Sequence, residues 1–150
     1  MELILWRHAD AEEGEPDLDR SLTGKGRKQA ERVARWLQRH LPSKYRVVSS
    51  PARRARETAE ALGERFKVSP RLAPGASAAA IAEAAGWPRR RGVAVLVGHQ
   101  PDLGRAAASL VAGAAAEWSV KKGGLWWLEY RVRGRQAQVV VRAVIAPDLV

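Results

Sequence analysis

Two of the three histidines in this chain, His8 and His99, stand just after uninterrupted apolar runs, Leu3–Trp6 and Val93–Val97. Short apolar runs of this kind read as strands covered on both faces. Open α/β sheets bind ligands outside the carboxyl ends of their strands, so His8, His99 and Ser50, which follows a third short run, are expected on one rim. Arg7 precedes His8, and Arg53, Arg54 and Arg56 lie in the first turns after Pro51. Two helices opening after Ser50 and after His99 would aim unpaired N–H groups at the same rim. Imidazoles, guanidinium forks and helix N-termini together suit a phosphoryl group. Arg neutralises its oxygens by bidentate hydrogen bonds, and a neutral His, whose ordinary pKa is about 6.5, can attack phosphorus near pH 7. No metal and no cofactor are expected in this chemistry.

The elements that must position these groups follow from the pattern. Residues 2–6 read as a strand, and the polar stretch to Leu22 as a long loop. Thr23 caps a helix over 24–40, with Ala30, Val33, Ala34, Leu37 and Leu41 at helical spacing before Pro42. Arg46–Ser49 is a second strand. Pro51 is expected at the first position of a helix striped by Ala55, Ala59, Leu62 and Phe66. Residues 69–76 read as loop and Ala78–Ala85 as a short helix stopped by Gly86 and Pro88. Val93–Val97 is a third strand, and Pro101 opens a helix ended by Gly113. Leu125–Val132 and Ala137–Ile145 flank Gly134 as a closing hairpin. This order predicts one α/β domain over 1–150, three layers deep, helices on both faces of a mostly parallel sheet.

Composition bounds the rest. The length, 150 residues, is that of one core, and 46% hydrophobic content is more than a disordered chain carries. There is no Cys, which excludes disulfides, thiol nucleophiles and Cys-ligated zinc. The net charge of +10 makes anions the expected partners. No apolar run is long enough to span a bilayer and no leader pattern opens the chain, so a cytoplasmic protein without a membrane partner is expected.

Four segments, RHADAE (7–12), DLDRSLTGKGRKQA (17–30), SSPARRARETAEAL (49–62) and VGHQPDLG (97–104), together resemble the histidine phosphatase, or phosphoglycerate mutase-like, superfamily, and most of all its short bacterial SixA-like branch. The resemblance implies that His8 is the phospho-accepting nucleophile and that Arg7 binds the transferred phosphate. It implies that Arg54, in Ser-Pro-x-x-Arg-Ala, is the second clamp and that His99, in Gly-His-x-Pro, bonds the phosphoryl oxygens. Arg20 matches a pocket arginine of the SixA-like branch, and Asp17 an acidic position nearby. Ser50 is a further candidate for phosphate contact.

The chain departs from the wider family in having Ala9 for the common Gly and in lacking the acid-bearing insertion after the second arginine motif; Ser69–Gly86 holds only Glu83. An alkoxide leaving group needs a proton donor, whereas imidazole leaves from a P–N bond more readily. A protein phosphohistidine substrate is therefore expected over a small phosphorylated metabolite, for which Asp17, Asp19 or Glu12 would have to serve as acid. A third reading is a basic module for nucleic acid or acidic protein, with nucleic acid disfavoured. His40 is expected to cap a helix end. The run Arg89–Arg91 is expected in solvent, and one of the adjacent Trp126 and Trp127 partly exposed.

Overall fold

The computed structural model describes all residues, 1–150. Its strands and helices are β1 (Glu2–Arg7), α1 (Gly24–His40), β2 (Arg46–Ser49), α2 (Arg53–Glu60), β3 (Lys67–Val68), α3 (Ala78–Ala85), β4 (Val93–Gly98), α4 (Asp102–Ala112), β5 (Leu125–Arg133) and β6 (Gln136–Ile145). One six-stranded sheet runs in the order β3-β2-β4-β1-β5-β6. The first four strands of that order are parallel, and β5 and β6 are antiparallel additions.

Alternation along the central strands divides the core into two layers, because successive side chains leave a strand on opposite faces. Ile4, Trp6, Val95, Val97 and Val47 pack with Val33, Leu37, Ala55 and Ala59 of α1 and α2. Leu3, Leu5, Ala94, Leu96 and Val48 pack with Ile81, Ala85, Leu103 and Ala107 of α3 and α4. β1 and β4 are buried along nearly their whole length, which is why their sequences read as continuous apolar runs.

Local chemistry sets the boundaries. The Thr23 hydroxyl accepts from the Gly26 N–H at 2.9 Å and caps α1. A Cβ on Gly26 would lie 2.0 Å from the Asp10 carbonyl oxygen, so only glycine lets α1 approach the loop after β1. α2 departs from the sequence expectation at both ends. It opens at Arg53 with Ala52 as N-cap, because the Ser50 hydroxyl draws the Ala52 N–H into a turn at 3.2 Å. Pro51 is thus outside the helix. The helix closes at Glu60, and Phe66 lies beyond it, past Gly63 at φ +71°, yet still packs on the same core. The two-residue β3 stands just before the expected loop 69–76 and the capped turn Pro70–Leu72 within it, so Val93–Gly98 is the fourth strand of the chain. A strand of two exposed residues has no periodicity to read. Trp127 is buried and Trp126 half-buried, as the alternation required. No helix is long and apolar enough to cross a membrane.

Candidate active site

The parallel strands deliver their carboxyl ends to a cleft of about 440 Å³ lined by Arg7, His8, Arg20, Arg54, His99 and Gln100 among others. The rings of His8 and His99 lie 5.1 Å apart, although the residues are ninety-one positions apart in the chain. Parallel register brings this about: Arg7 pairs with Gly98, so the next residue of each strand is a histidine.

The two imidazoles are held differently. His8 Nδ1 lies 2.8 Å from the Ala9 carbonyl oxygen, an acceptor only, so Nδ1 carries the hydrogen and Nε2 keeps its lone pair. That Nε2 accepts from Arg54 Nε at 3.3 Å. His99 Nε2 is 2.7 Å from Ser50 Oγ, which also accepts from Ala52 N–H. The hydroxyl hydrogen is free to go to His99 Nε2, which leaves the hydrogen of a neutral His99 on Nδ1. Burial pushes the His8 pKa down to about 4, helped by the charges of Arg54, Arg7 and Arg20 and opposed by the Ala9 bond. Burial, then His8 and Arg54, push His99 down to about 3. Both rings are neutral at pH 7.

Arg54 is only 4% exposed. It spends one N–H on His8, one on the Asp17 carbonyl oxygen at 2.8 Å and one on the Asp17 carboxylate at 3.1 Å. Two of the five guanidinium hydrogens remain. Arg7 donates to the Val120 carbonyl at 2.9 Å, while its Nε is buried with no partner. Arg20 bonds Asp17 and the Glu12 carbonyl and also faces the cleft.

Two sequence candidates stand elsewhere than expected. Ser50 is fully buried and does not line the cleft; its hydroxyl touches His99 instead. Asp17 does not line the cleft either, and although desolvation opposes it, hydrogen bonds and charge from Arg54 and Arg20 hold its carboxyl below the ordinary range. Neither Glu12 nor Asp19 lines the cleft, and Glu83 is paired with Arg71. Conversely Glu13, Gln100, Asp102, Arg105 and Lys122 line it without having been singled out. The segment around 118–124 matters most among the residues the sequence hid. Trp118 and Val120 offer carbonyls to Gln100 and Arg7, and Gly123 N–H donates to the His8 carbonyl at 3.1 Å. A Cβ on Gly104 would meet the Trp118 carbonyl oxygen at 1.7 Å, so α4 and this segment touch backbone to backbone. Such contacts leave no hydropathy signal.

His40 is remote from the cleft: its Nδ1 bonds the Trp36 carbonyl at 2.7 Å and its ring stacks on Trp36. Arg53 pairs with Glu57 at 3.1 Å on the outer side of α2.

The fold and cleft define an α/β protein that gathers two neutral histidines and several arginines at the carboxyl edge of a mostly parallel sheet. Residues 3–91 match the histidine phosphatase superfamily (branch 1). An uncharacterized protein of Picosynechococcus sp. (strain PCC 7002) is 38% identical over 139 residues, covering 83% of this chain and 82% of the relative. The structure of SixA from Nakamurella multipartitia is similar at a TM-score of 0.80, with 29% identity and coverage of 97% and 95% of the two chains. A protein histidine phosphatase SixA complexed with tungstate gives 0.83 at 22% identity and 99% of both chains. A mycobacterial glucosyl-3-phosphoglycerate phosphatase gives 0.71 at 22% identity, with 97% and 99% covered. The chain belongs to the histidine phosphatase superfamily, in its SixA-like branch, and is a phosphatase.

Proposed function

We propose that the chain hydrolyses phosphohistidine on proteins through a covalent phosphate on His8. The observation that carries the reading is the tautomer of His8: Nδ1–H is fixed on Ala9, so the lone pair sits on Nε2 beside Arg54 and within reach of the space before His99. As a phosphoryl group arrives, the Arg54 N–H moves from Nε2 to a phosphoryl oxygen and frees the lone pair for attack. Arg7, Arg20, Arg54 and His99 Nδ1–H then surround the equatorial oxygens, where most of the rate enhancement in phosphoryl transfer arises. The buried, unpartnered Arg7 Nε is a donor that an oxyanion would satisfy. Ser50 serves as a positioning residue for His99. Water afterwards attacks phospho-His8, returning the imidazole and releasing phosphate.

The substrate assignment rests on the proton supply. Asp17 is engaged by Arg54, Asp102 in the cleft wall accepts from the Gly75 N–H at 2.8 Å, and Asp19 and Glu12 do not line the cleft, so the groups around the two histidines are mainly cations. A leaving imidazole tolerates that better than a leaving alkoxide. One observation favours a second reading, a phosphatase of small phosphorylated metabolites: Glu13 lines the cleft and would be its proton donor.

The test is incubation with a phosphohistidine peptide, a panel of sugar and nucleotide phosphates and p-nitrophenyl phosphate, all in EDTA. The expected outcome is preference for the peptide, acid-labile and base-stable phosphate on His8 in quenched samples, and loss of about 10³-fold or more in His8→Ala. Parent-level activity of His8→Ala would refute the mechanism. Faster turnover of a metabolite, abolished by Glu13→Gln, would select the second reading.

A further inference from the structure

We propose that the outer face of α1 is a docking surface for an acidic helix of the phosphorylated protein, an inference that rests on the protein-substrate reading above. Lys25, Lys28, Arg32, Arg35 and Arg39 follow one another at spacings of three, four, three and four residues. That spacing puts all five on one side of a helix. All five are exposed, and none takes part in an ion pair. At 1.5 Å per residue the stripe is about 21 Å long. Like charges at these spacings work against a helix, and a helix built only for packing would interleave acids. α1 contains one, Glu31.

The surface along the stripe is grooved. Between α1 and the turn Pro147–Leu149 lies a depression of about 600 Å³ lined by Lys25, Lys28, Arg32 and Arg35, with Glu31 and Asp148 as its only acids. A second, of about 320 Å³, shares Arg32 and Arg35 and continues to Arg39, Trp36 and Leu149. The N-terminal end of the stripe lies on the side of the cleft. Lys122 of the cleft wall bonds Asp10 at 2.8 Å, and Lys25 adds to the field on that same carboxylate. A protein substrate seated at His8 would thus reach the stripe by way of Lys122 and Asp10.

The occupant follows from pitch and polarity. Carboxylates at three- and four-residue spacing on a partner helix repeat with the same 5.4 Å pitch, so pairing stays in register along the whole stripe. Leu149, 74% exposed beside Arg39, offers an apolar contact that a phosphate backbone would not use. One face of the Trp36 ring is already stacked on His40. These features favour an acidic protein segment over a nucleic acid.

The test compares two synthetic phosphohistidine peptides, one with neutral flanks and one extended by a helical tail with Glu at three- and four-residue spacing. The parent should favour the tailed peptide by about tenfold in kcat/KM at low salt. Lys28→Glu/Arg32→Glu/Arg35→Glu should abolish that preference while turning over the neutral peptide as the parent does. The triple Gln variant should fall between. Equal turnover of both peptides by the parent, or a preference that survives in the Glu variant, overturns the docking surface. So does tighter competition by single-stranded RNA than by the tail alone. Hydrolysis of neither peptide would instead overturn the phosphohistidine reading; fluorescence anisotropy of the tail peptide alone then still reads docking, with the parent binding and the Glu variant not.

Discussion

The cleft and the free end of the β5–β6 hairpin carry the same kind of side chain in opposite circumstances. Arg54 is nearly buried, fixed by three hydrogen bonds and in contact with a histidine. Arg133 and Arg135 lie in solvent where the hairpin runs past the sheet, since β1 pairs with β5 only from Leu125 to Glu129. Arg131 there has one long bond of 3.4 Å to Gln138. A guanidinium in water is screened and mobile and adds little. Held in a low-dielectric cleft it shifts its neighbours' protonation and is aimed before any substrate arrives. Environment, more than residue type, separates a candidate catalytic arginine from a solubilising one.

The sharpest way to break this comparison is to remove a charge from each place. Arg54→Ala should lower kcat/KM by about 10²–10³-fold, the usual cost of one preorganised donor to a transition state. It should also loosen the Asp17 turn, which keeps Arg20 but loses both contacts to Arg54. A loss under tenfold in steady-state assays would mean that burial does not make Arg54 a transition-state donor.

Proton affinity is the next largest contrast. By NMR titration of the ring protons, His8 should have its midpoint near 4 and His99 near 3, against about 6.5 for a free imidazole. The unfolded chain takes up protons on these rings below about pH 6.5 and the folded chain does not. Stability from these two groups is therefore fully present above that pH and is lost as pH falls toward their folded values. Urea titrations should show this slope, and His99→Gln should flatten it. An ordinary midpoint for either ring would contradict the buried, cation-rich cleft.

A smaller effect separates touching substrate from positioning. Ser50→Ala removes the partner of His99 Nε2 and should lower kcat by about tenfold with little change in KM, and Ser50→Thr should restore part of it. A large rise in KM alone would instead give Ser50 the direct phosphate contact expected from sequence. At the bottom of the scale, Arg133→Ala/Arg135→Ala should change activity less than twofold and stability by at most about 0.5 kcal/mol. A larger loss would show that exposed charge at the hairpin is not inert.

Much of the layout was readable because the central strands are buried on both faces and the helices carry one apolar stripe. Leu3–Trp6 and Val93–Val97 announced themselves, and with them the rim occupied by His8 and His99. β3 and the end of α2 were not readable, since a two-residue edge strand has no period and the break at Gly63 competes with a continuing apolar pattern. That the Ser50 hydroxyl meets His99 and the Ala52 N–H was not readable, because its direction depends on contacts within a turn and with a residue forty-nine positions away.

The sequence by itself determined the alternating pattern that makes the sheet, the caps that stop the helices and the residue types able to handle a phosphoryl group. Those are local properties, encoded in side-chain period and backbone preference. Only the tertiary structure decided that Arg7 pairs with Gly98 so that the histidines meet, that Asp17 closes on Arg54, and that the Trp118–Gly123 segment roofs Arg7 and His8. Strand register, burial and backbone-to-backbone contact are relations between distant residues, and no single stretch of chain contains them.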